Sequence, residues 1–394
     1  MSSTSASSFD FDALHEEASR RTSGLGDFGD PIYEEALRRL LRSLDTEARL
    51  HDTGRSTLRQ RIVQILENRL RAEEAFRRNP EIADEEIRSP FAIVGLARTG
   101  TTMLHRTIAS DDRMFALLWW ESRNPAPLLE PFDSGQTVDP RILSAEAEVA
   151  AMLAAVPELA ASHPFDAQGP DEEIMLMEHC FYSTNTEAFA HVPGYSNWLD
   201  EQDQRPGYEY LERLLKLLQW NKKQAGSKAQ RWVLKTPHHL GFMPAFFDVF
   251  PDLKVIQTHR DPVETIPSFA SLVHNCRIGN TDALDPRITG DEWGGRMKRA
   301  LASCMDFRES REDRFIDVDY EVLCKDPLSE VRRIYEFVGL EFTTEAEAAM
   351  NRWAAENTRD KRPVHEYSLE TYGFTEEQIA SDFARYRERF SSSR

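Results

Sequence analysis

Four short apolar runs set among helix-like segments constrain this chain more than any other feature. Phe91 to Val94, Trp232 to Leu234, Lys254 to Gln257 and Phe315 to Val318 each read as a short buried strand followed by a polar loop. Strands that alternate with helices imply an α/β fold, a parallel sheet with helices on both faces. In such sheets ligands bind outside the carboxyl ends of the strands. The residues to weigh are therefore Gly95 to Thr102, Lys235 to His239, His259 to Asp261, and Asp319 with Tyr320.

The rest of the chain is arranged around that frame. Its 394 residues are enough for one large or two ordinary domains. Residues 1–88 read as an N-terminal helical extension. Pro31 to Asp45 forms one helix, and a capping box at Thr57 and Gln60 opens a second, with Leu58, Ile62, Ile65, Leu66 and Leu70 on one face and an end near Arg78. This extension reads as a packing layer or a homo-oligomer surface without visible chemistry. Residues 89–394 form the main domain. Within it, residues 121–230 read as a helical insertion, too long for a simple crossover and placed where an acceptor-binding lid over the strand ends would lie. Phe165, Phe181, Tyr182, Phe189, Tyr195 and Trp198 in this insertion serve either as core or as pocket wall.

Composition excludes several classes of function. With 48 basic and 67 acidic residues the net charge is −19, which removes the usual driving force for sequence-independent nucleic-acid binding. Any anionic ligand must be held by local positive charge. The four cysteines are widely spaced with no C-x-x-C pair, so neither a zinc knuckle nor a disulfide framework is indicated, and a cytoplasmic setting fits. Met1 to Asp10 lacks the features of a secretory signal, and the longest apolar stretch, Met152 to Ala161, is interrupted by Pro157 and Glu158, so no membrane span is expected.

Three strand ends carry candidate chemistry. Gly95 to Thr102 follows a strand and opens a helix, with the glycine spacing of a phosphate-binding loop in which backbone N–H groups surround an anion. It is not a Walker loop, because Thr101 stands where the lysine should follow Gly100. Arg98 supplies the cation instead, and Thr101 and Thr102 offer hydroxyl donors. In the second segment, Asp261 as N-cap, Pro262 and Glu264 make a strong helix start, which places Arg260 at a helix N-terminus. Arg260 there either grips an anion or pairs with Glu264. The triplet His259-Arg260-Asp261 does not make a kinase catalytic loop, because Ile266 occupies the position of its asparagine. Third, Lys235 is either a solvated charge or an electrophile aimed at a leaving oxygen. His238 and His239 beside it are core or cap residues, a base, or half of a metal site, and the missing third ligand argues against metal.

In combination these segments resemble the bacterial branch of the sulfotransferases that use 3′-phosphoadenosine-5′-phosphosulfate, from about Ser89 through Tyr372. Ala97-Arg98-Thr99-Gly100-Thr101-Thr102 is similar to the family's 5′-phosphosulfate loop, with Ala97 for proline and Thr99 for serine. Arg260 and Ser268 match the pair that holds the 3′-phosphate, at the same separation. Asp319-Tyr320-Glu321-Val322-Leu323 with Asp326-Pro327 resembles the segment whose tyrosine lies by the adenine. Lys361, Arg362 and His365 to Tyr367 resemble the C-terminal basic loop that closes over the nucleotide.

The resemblance implies a three-layer P-loop-like fold and sulfuryl transfer to a hydroxyl or amine of a small acceptor, without a metal, and the aromatic insertion suggests a hydrophobic alcohol, phenol or lipid-like molecule. Lys235 and Arg98 are then the electrophiles. Glu121 is the first choice of base, because several branches place a glutamate about twenty residues after the loop. His239 and His238 are the alternatives. The competing class is a P-loop small-molecule kinase or NTPase, which would bind ATP with Mg²⁺ in preference to adenosine 3′,5′-bisphosphate.

Overall fold

The computed structural model describes residues 9–129, 138–162, 165–357 and 367–390. Five parallel strands form its centre: β1 (Phe91–Gly95), β2 (Met114–Phe115), β3 (Arg231–Lys235), β4 (Lys254–His259) and β5 (Phe315–Asp319), in the order β2-β3-β1-β4-β5. Four are the anticipated runs. The fifth, β2, has only two residues on the sheet edge, too short for any periodic signal, and is supported by Phe115 stacking on Trp232 with ring centroids 5.3 Å apart.

Alternation along β1 divides the core. Ala92 and Val94 face one apolar cluster, whereas Phe91 and Ile93 face another, as side chains on successive strand residues must. The chain passes from β3 on one side of β1 to β4 on the other, so a crevice opens above the carboxyl end of β1. The registers Ile93↔Lys235, Gly95↔Thr258 and His259↔Asp319 bring the ends of all four long strands to that edge.

The N-terminal layer comprises α1 (Phe11–Arg21), α2 (Tyr33–Thr46) and α3 (Asp52–Arg78). The start of α3 corrects the capping box expected at Thr57. The N-cap lies six residues earlier, where the His51 ring accepts a hydrogen bond from Gly54 N at 2.9 Å. Tertiary packing decides this, because His51 N donates to Asn280 O and a side chain on Gly54 would collide with the Asn280 backbone. The layer is not a separate unit. Its Leu37 and Leu66 lie in the same apolar cluster as Tyr208 of the insertion and Leu234 of β3.

Three further helices complete the labelled frame: α4 (Thr101–Ala109) after β1, then α5 (Trp119–Arg123) and α6 (Pro140–Ala155) at the start of the insertion. The insertion continues through short helical pieces to the long helix Arg205–Gln224 before β3. No helix among the described residues is long and apolar enough to cross a membrane. All four cysteines are free.

One buried cation ties the N-terminal layer to the insertion. Arg69 of α3, only 1% exposed, donates to His179 O at 2.7 Å, to Phe28 O at 2.8 Å and to Asp30 O at 3.2 Å, with its guanidinium over the Tyr33 and Tyr210 rings. Three carbonyls from two separate layers therefore depend on one side chain. Arg69→Met is expected to destabilise the protein by about 2–4 kcal/mol in urea unfolding, because it leaves buried acceptors unpaired. Removing the exposed Arg39 of the Arg39–Glu35 pair on α2 is expected to cost less than about 1 kcal/mol.

Candidate active site

The loop between β1 and α4 is shaped by backbone that only a few residues tolerate. Gly100 has φ +84°, and a methyl group there would lie 3.1 Å from Leu323 and 3.2 Å from the Tyr320 ring. Arg98 also adopts a left-handed conformation, φ +73°, which marks a loop held in place by its surroundings. The loop runs straight into α4, whose first turn has no side-chain cap, so its N–H groups remain directed at the crevice.

The candidate residues divide by where their side chains point. Arg98, Thr101 and Thr102 line a cavity above the strand ends. Thr99 does not: it is fully buried, and its hydroxyl bonds Leu96 O and Thr258 Oγ1, each at 2.6 Å. Its side chain holds the loop to β4, and only its backbone N–H is left for an anion. Arg260 pairs with Glu264 through Nε at 2.9 Å and Nη2 at 2.5 Å, as the salt-bridge reading anticipated, yet it also donates to Arg98 O at 3.1 Å and lies 4.3 Å over the Tyr320 ring. Arg98, Arg260 and Tyr320 are thus one group. Ser268 is buried on the adjoining helix Pro262–Ile278, and Tyr367 donates to Glu264 O at 3.0 Å. Lys361 and Arg362 lie outside the described residues.

Lys235 is not a solvated charge. Its side chain is fully buried, and Nζ donates to Glu172 Oε1 at 2.6 Å and lies 3.5 Å from Thr102 Oγ1. The backbone N–H of Lys235 donates to Glu173 Oε2 at 2.8 Å. The sequence reading passed over Asp171, Glu172 and Glu173. The available signal was three consecutive acids following Gly169-Pro170 in a segment otherwise read for its aromatics. Asp171 and Glu172 both line the cavity. Burial raises the Asp171 carboxyl above its ordinary value, with Lys235 and Arg106 pulling the other way, and its Oδ2 has no hydrogen-bond partner.

The three proposed bases separate cleanly. Glu121 is buried on α5, where Oε2 accepts from Leu118 N at 2.9 Å and Oε1 pairs with Lys222 at 2.5 Å; it does not line the cavity. Its place after the loop in sequence leads to a helix cap, because α5 turns that side chain back on its own N-terminus. His239 is also turned away, with Nε2 on Glu173 Oε1 at 2.6 Å, Nδ1 on Tyr208 Oη at 2.8 Å and its ring stacked on Phe246 at 3.9 Å. His238 does line the cavity. Its Nδ1 lies 3.0 Å from Thr184 Oγ1, its Nε2 has no partner, and burial holds the imidazole well below its ordinary value of 6.5.

The cavity has a volume of about 770 Å³, and its lining is predominantly apolar. Trp119, Phe165, Phe189, Phe242, Phe269 and Trp293 supply aromatic surface. Of the six insertion aromatics singled out above, only Phe165 and Phe189 reach it; Phe181, Tyr182 and Tyr195 are core. The N-terminal layer, expected to be chemically silent, forms one wall through Leu40, Leu44, Leu58, Ile62 and Ile65. Among the described residues no cluster of three or more His, Cys, Asp or Glu has the arrangement to hold a metal ion.

Comparison with known proteins follows the same lines. The crystal structure of sulfotransferase STF1 from Mycobacterium tuberculosis H37Rv superimposes with a TM-score of 0.82 at 32% identity, over 95% of this chain and 98% of that one. Sulfotransferase STF9 from Mycobacterium avium superimposes with a TM-score of 0.84 at 28% identity, over 97% of both chains. In sequence, the omega-hydroxy-beta-dihydromenaquinone-9 sulfotransferase Stf3 of Mycobacterium bovis is 28% identical over 263 residues, which span 64% of this chain and 63% of that relative. The model of the sulfotransferase family matches residues 90–344, from β1 to beyond the Tyr320 segment, and the chain belongs to that family.

Proposed function

We propose that this chain transfers a sulfuryl group from 3′-phosphoadenosine-5′-phosphosulfate to a hydroxyl of a hydrophobic acceptor held in the cavity above the strand ends. One observation carries the reading: a fully buried lysine ammonium contacts Thr102 of the glycine loop and Glu172, both of which line a large apolar cavity. A polyanion on one side and an apolar alcohol on the other meet there.

The residues fit the donor. The loop N–H groups, Thr101, Thr102 and Arg98 suit its 5′-phosphosulfate, and Arg260 with Ser268 suits its 3′-phosphate. Tyr320, already packed on Gly100 and under the Arg260 guanidinium, suits the flat face of adenine. The cations are held by carboxylates in this structure, Arg260 by Glu264 and Lys235 by Glu172. Each charge-assisted bond to a phosphate or sulfate oxygen is worth roughly 1.5–3 kcal/mol, so several such exchanges support micromolar binding in spite of the acidic whole.

The donor supplies the sulfuryl group together with a phosphate that leaves it. The chain does the rest. With Nδ1 as the donor to Thr184 Oγ1, His238 keeps the lone pair of Nε2 unshared on a ring that lines the cavity, and this nitrogen takes the proton of the acceptor hydroxyl. Lys235 turns from Glu172 to the bridging oxygen as charge develops there. A second reading of the base rests on Glu172, whose carboxylate faces the same cavity and is released when Lys235 turns away. An acceptor class of hydroxylated lipids agrees with the apolar walls and with the omega-hydroxylated menaquinone in the name of the Stf3 relative.

Titration calorimetry tests the donor site: adenosine 3′,5′-bisphosphate is expected to bind without Mg²⁺ and more tightly than ATP. Arg260→Ala is expected to weaken it tenfold or more, about 1.4 kcal/mol; unchanged affinity would remove Arg260 from the 3′-phosphate. His238→Asn is expected to lower kcat by about 10²–10⁴ with nucleotide affinity intact. If Glu172→Gln shows that loss and His238→Asn does not, the base is Glu172.

The pH profile follows from burial of the imidazole. A base must be unprotonated, and His238 is held neutral by a lowered pKa. Activity is therefore expected to persist as pH falls past the ordinary histidine range and to fail only through the depressed value. That acid limb should disappear from the residual rate of His238→Asn.

A further inference from the structure

The C-terminal helix Ala384–Phe390 takes hold of the residues on both sides of Arg260. His259, which precedes it, is buried at the end of β4. Its Nε2 lies 2.7 Å from Asp317 Oδ1, its Nδ1 lies 3.0 Å from Tyr386 Oη, and its ring stacks on Phe390 with centroids 4.0 Å apart. Burial raises the Asp317 carboxyl, but His259 and two Arg308 nitrogens at 2.7 and 2.9 Å outweigh it, so the group stays below its ordinary value and ionised. An ionised carboxylate can only accept. Burial also holds the His259 imidazole below its ordinary value, hence neutral, so the proton sits on Nε2 and Nδ1 accepts from the Tyr386 hydroxyl.

Asp261, which follows Arg260, caps the helix Pro262–Ile278. Its Oδ1 accepts from Val263 N at 3.0 Å, and its Oδ2 pairs with Arg387 Nη2 at 3.0 Å. A carboxylate at a helix N-terminus stabilises that helix, but it repels an anion that comes to the same end. Arg387 offsets that charge.

We propose that this helix positions the 3′-phosphate end of the donor site: Tyr386 fixes the residue before Arg260, Arg387 holds and neutralises the one after it, and preference for a 3′-phosphorylated nucleotide depends on both. The inference rests on the reading of Arg260 as the group that meets the 3′-phosphate. Both residues act through Arg260. That side chain is within reach of a ligand, being 25% exposed, but it must release Glu264 one turn further on to bind phosphate. An arginine on a loose main chain gives up much rotational freedom in such an exchange. With the main chain fixed on either side, and Nη1 already on Arg98 O at 3.1 Å, the guanidinium is presented in one place and less is lost on binding.

Titration calorimetry with adenosine 3′,5′-bisphosphate and with adenosine 5′-monophosphate, which lacks only the 3′-phosphate, tests the proposal. The quantity read is the ratio of the two affinities. In the unaltered protein the bisphosphate is expected to bind at least tenfold more tightly, about 1.4 kcal/mol. Tyr386→Phe and Arg387→Met are each expected to cut that ratio by about three- to tenfold while the monophosphate affinity stays within about twofold. Because His259 Nδ1 without its donor can disturb folding, Arg387→Met, at a partly exposed side chain, keeps the test open. Arg260→Ala is expected to abolish the preference, and adding Arg387→Met to it is expected to change the ratio no further, since both act on one guanidinium. A general loosening of the fold lowers both affinities together and leaves the ratio where it was. A high ratio that either single variant keeps, or a further fall in the double variant, overturns this proposal alone. A ratio near one in the unaltered protein overturns it together with the 3′-phosphate reading.

Discussion

The buried ammonium of Lys235 is the constraint around which the rest of the structure is arranged. A cation taken out of water at the end of β3 costs several kcal/mol unless it is paired and hydrogen-bonded. The partners come from the insertion, with Glu172 on Nζ and Glu173 on the backbone N–H. Glu173 in turn holds His239, and His239 holds Tyr208 on the helix Arg205–Gln224. The insertion is therefore bonded to the strand ends through a connected set of buried polar groups, and it cannot lift away without stranding the charge.

The same pairing bears on how so acidic a protein would take up the polyanionic donor proposed above. The net charge of −19 describes the long-range field, but the cations at the strand ends already sit against carboxylates, Arg260 on Glu264 and Lys235 on Glu172. An arriving phosphate or sulfate replaces one anion by another instead of desolvating a bare cation. That lowers the cost of binding and favours ligands that offer several oxygens with the right spacing. A ligand with one anionic group displaces one carboxylate only, and gains correspondingly little.

How much could be read from the chain alone depended on how local each signal was. The four long strands stood out because each is a contiguous apolar run, and Gly100 stood out because a left-handed turn before an uncapped helix has a residue-level signature. β2 did not, because two residues carry no period. The start of α3 was misplaced because the contact that sets it, with Asn280, lies more than two hundred residues away in sequence. Glu121 had the right spacing from the loop, but spacing does not show that a carboxylate three residues into a short helix bonds back to its own N-terminus. His238 and His239 were equivalent in sequence. Only the packing of Tyr208, Glu173 and Phe246 around one of them shows which is occupied and which still has a ring nitrogen to offer.

The N-terminal helices change meaning when the cavity is considered as a whole. Taken alone, the Leu58, Ile62 and Ile65 face of α3 is an ordinary amphipathic stripe that any packing layer would show. Placed against the insertion by Arg69, that face becomes a wall of the same cavity that the loop between β1 and α4 lines. For the donor proposed above, walls of leucine, isoleucine and aromatic rings would leave less water beside the loop than a polar cleft would. Closing it from three separate parts of the chain also holds its shape, because hydrogen bonds tie α3 to the insertion and the insertion to β3.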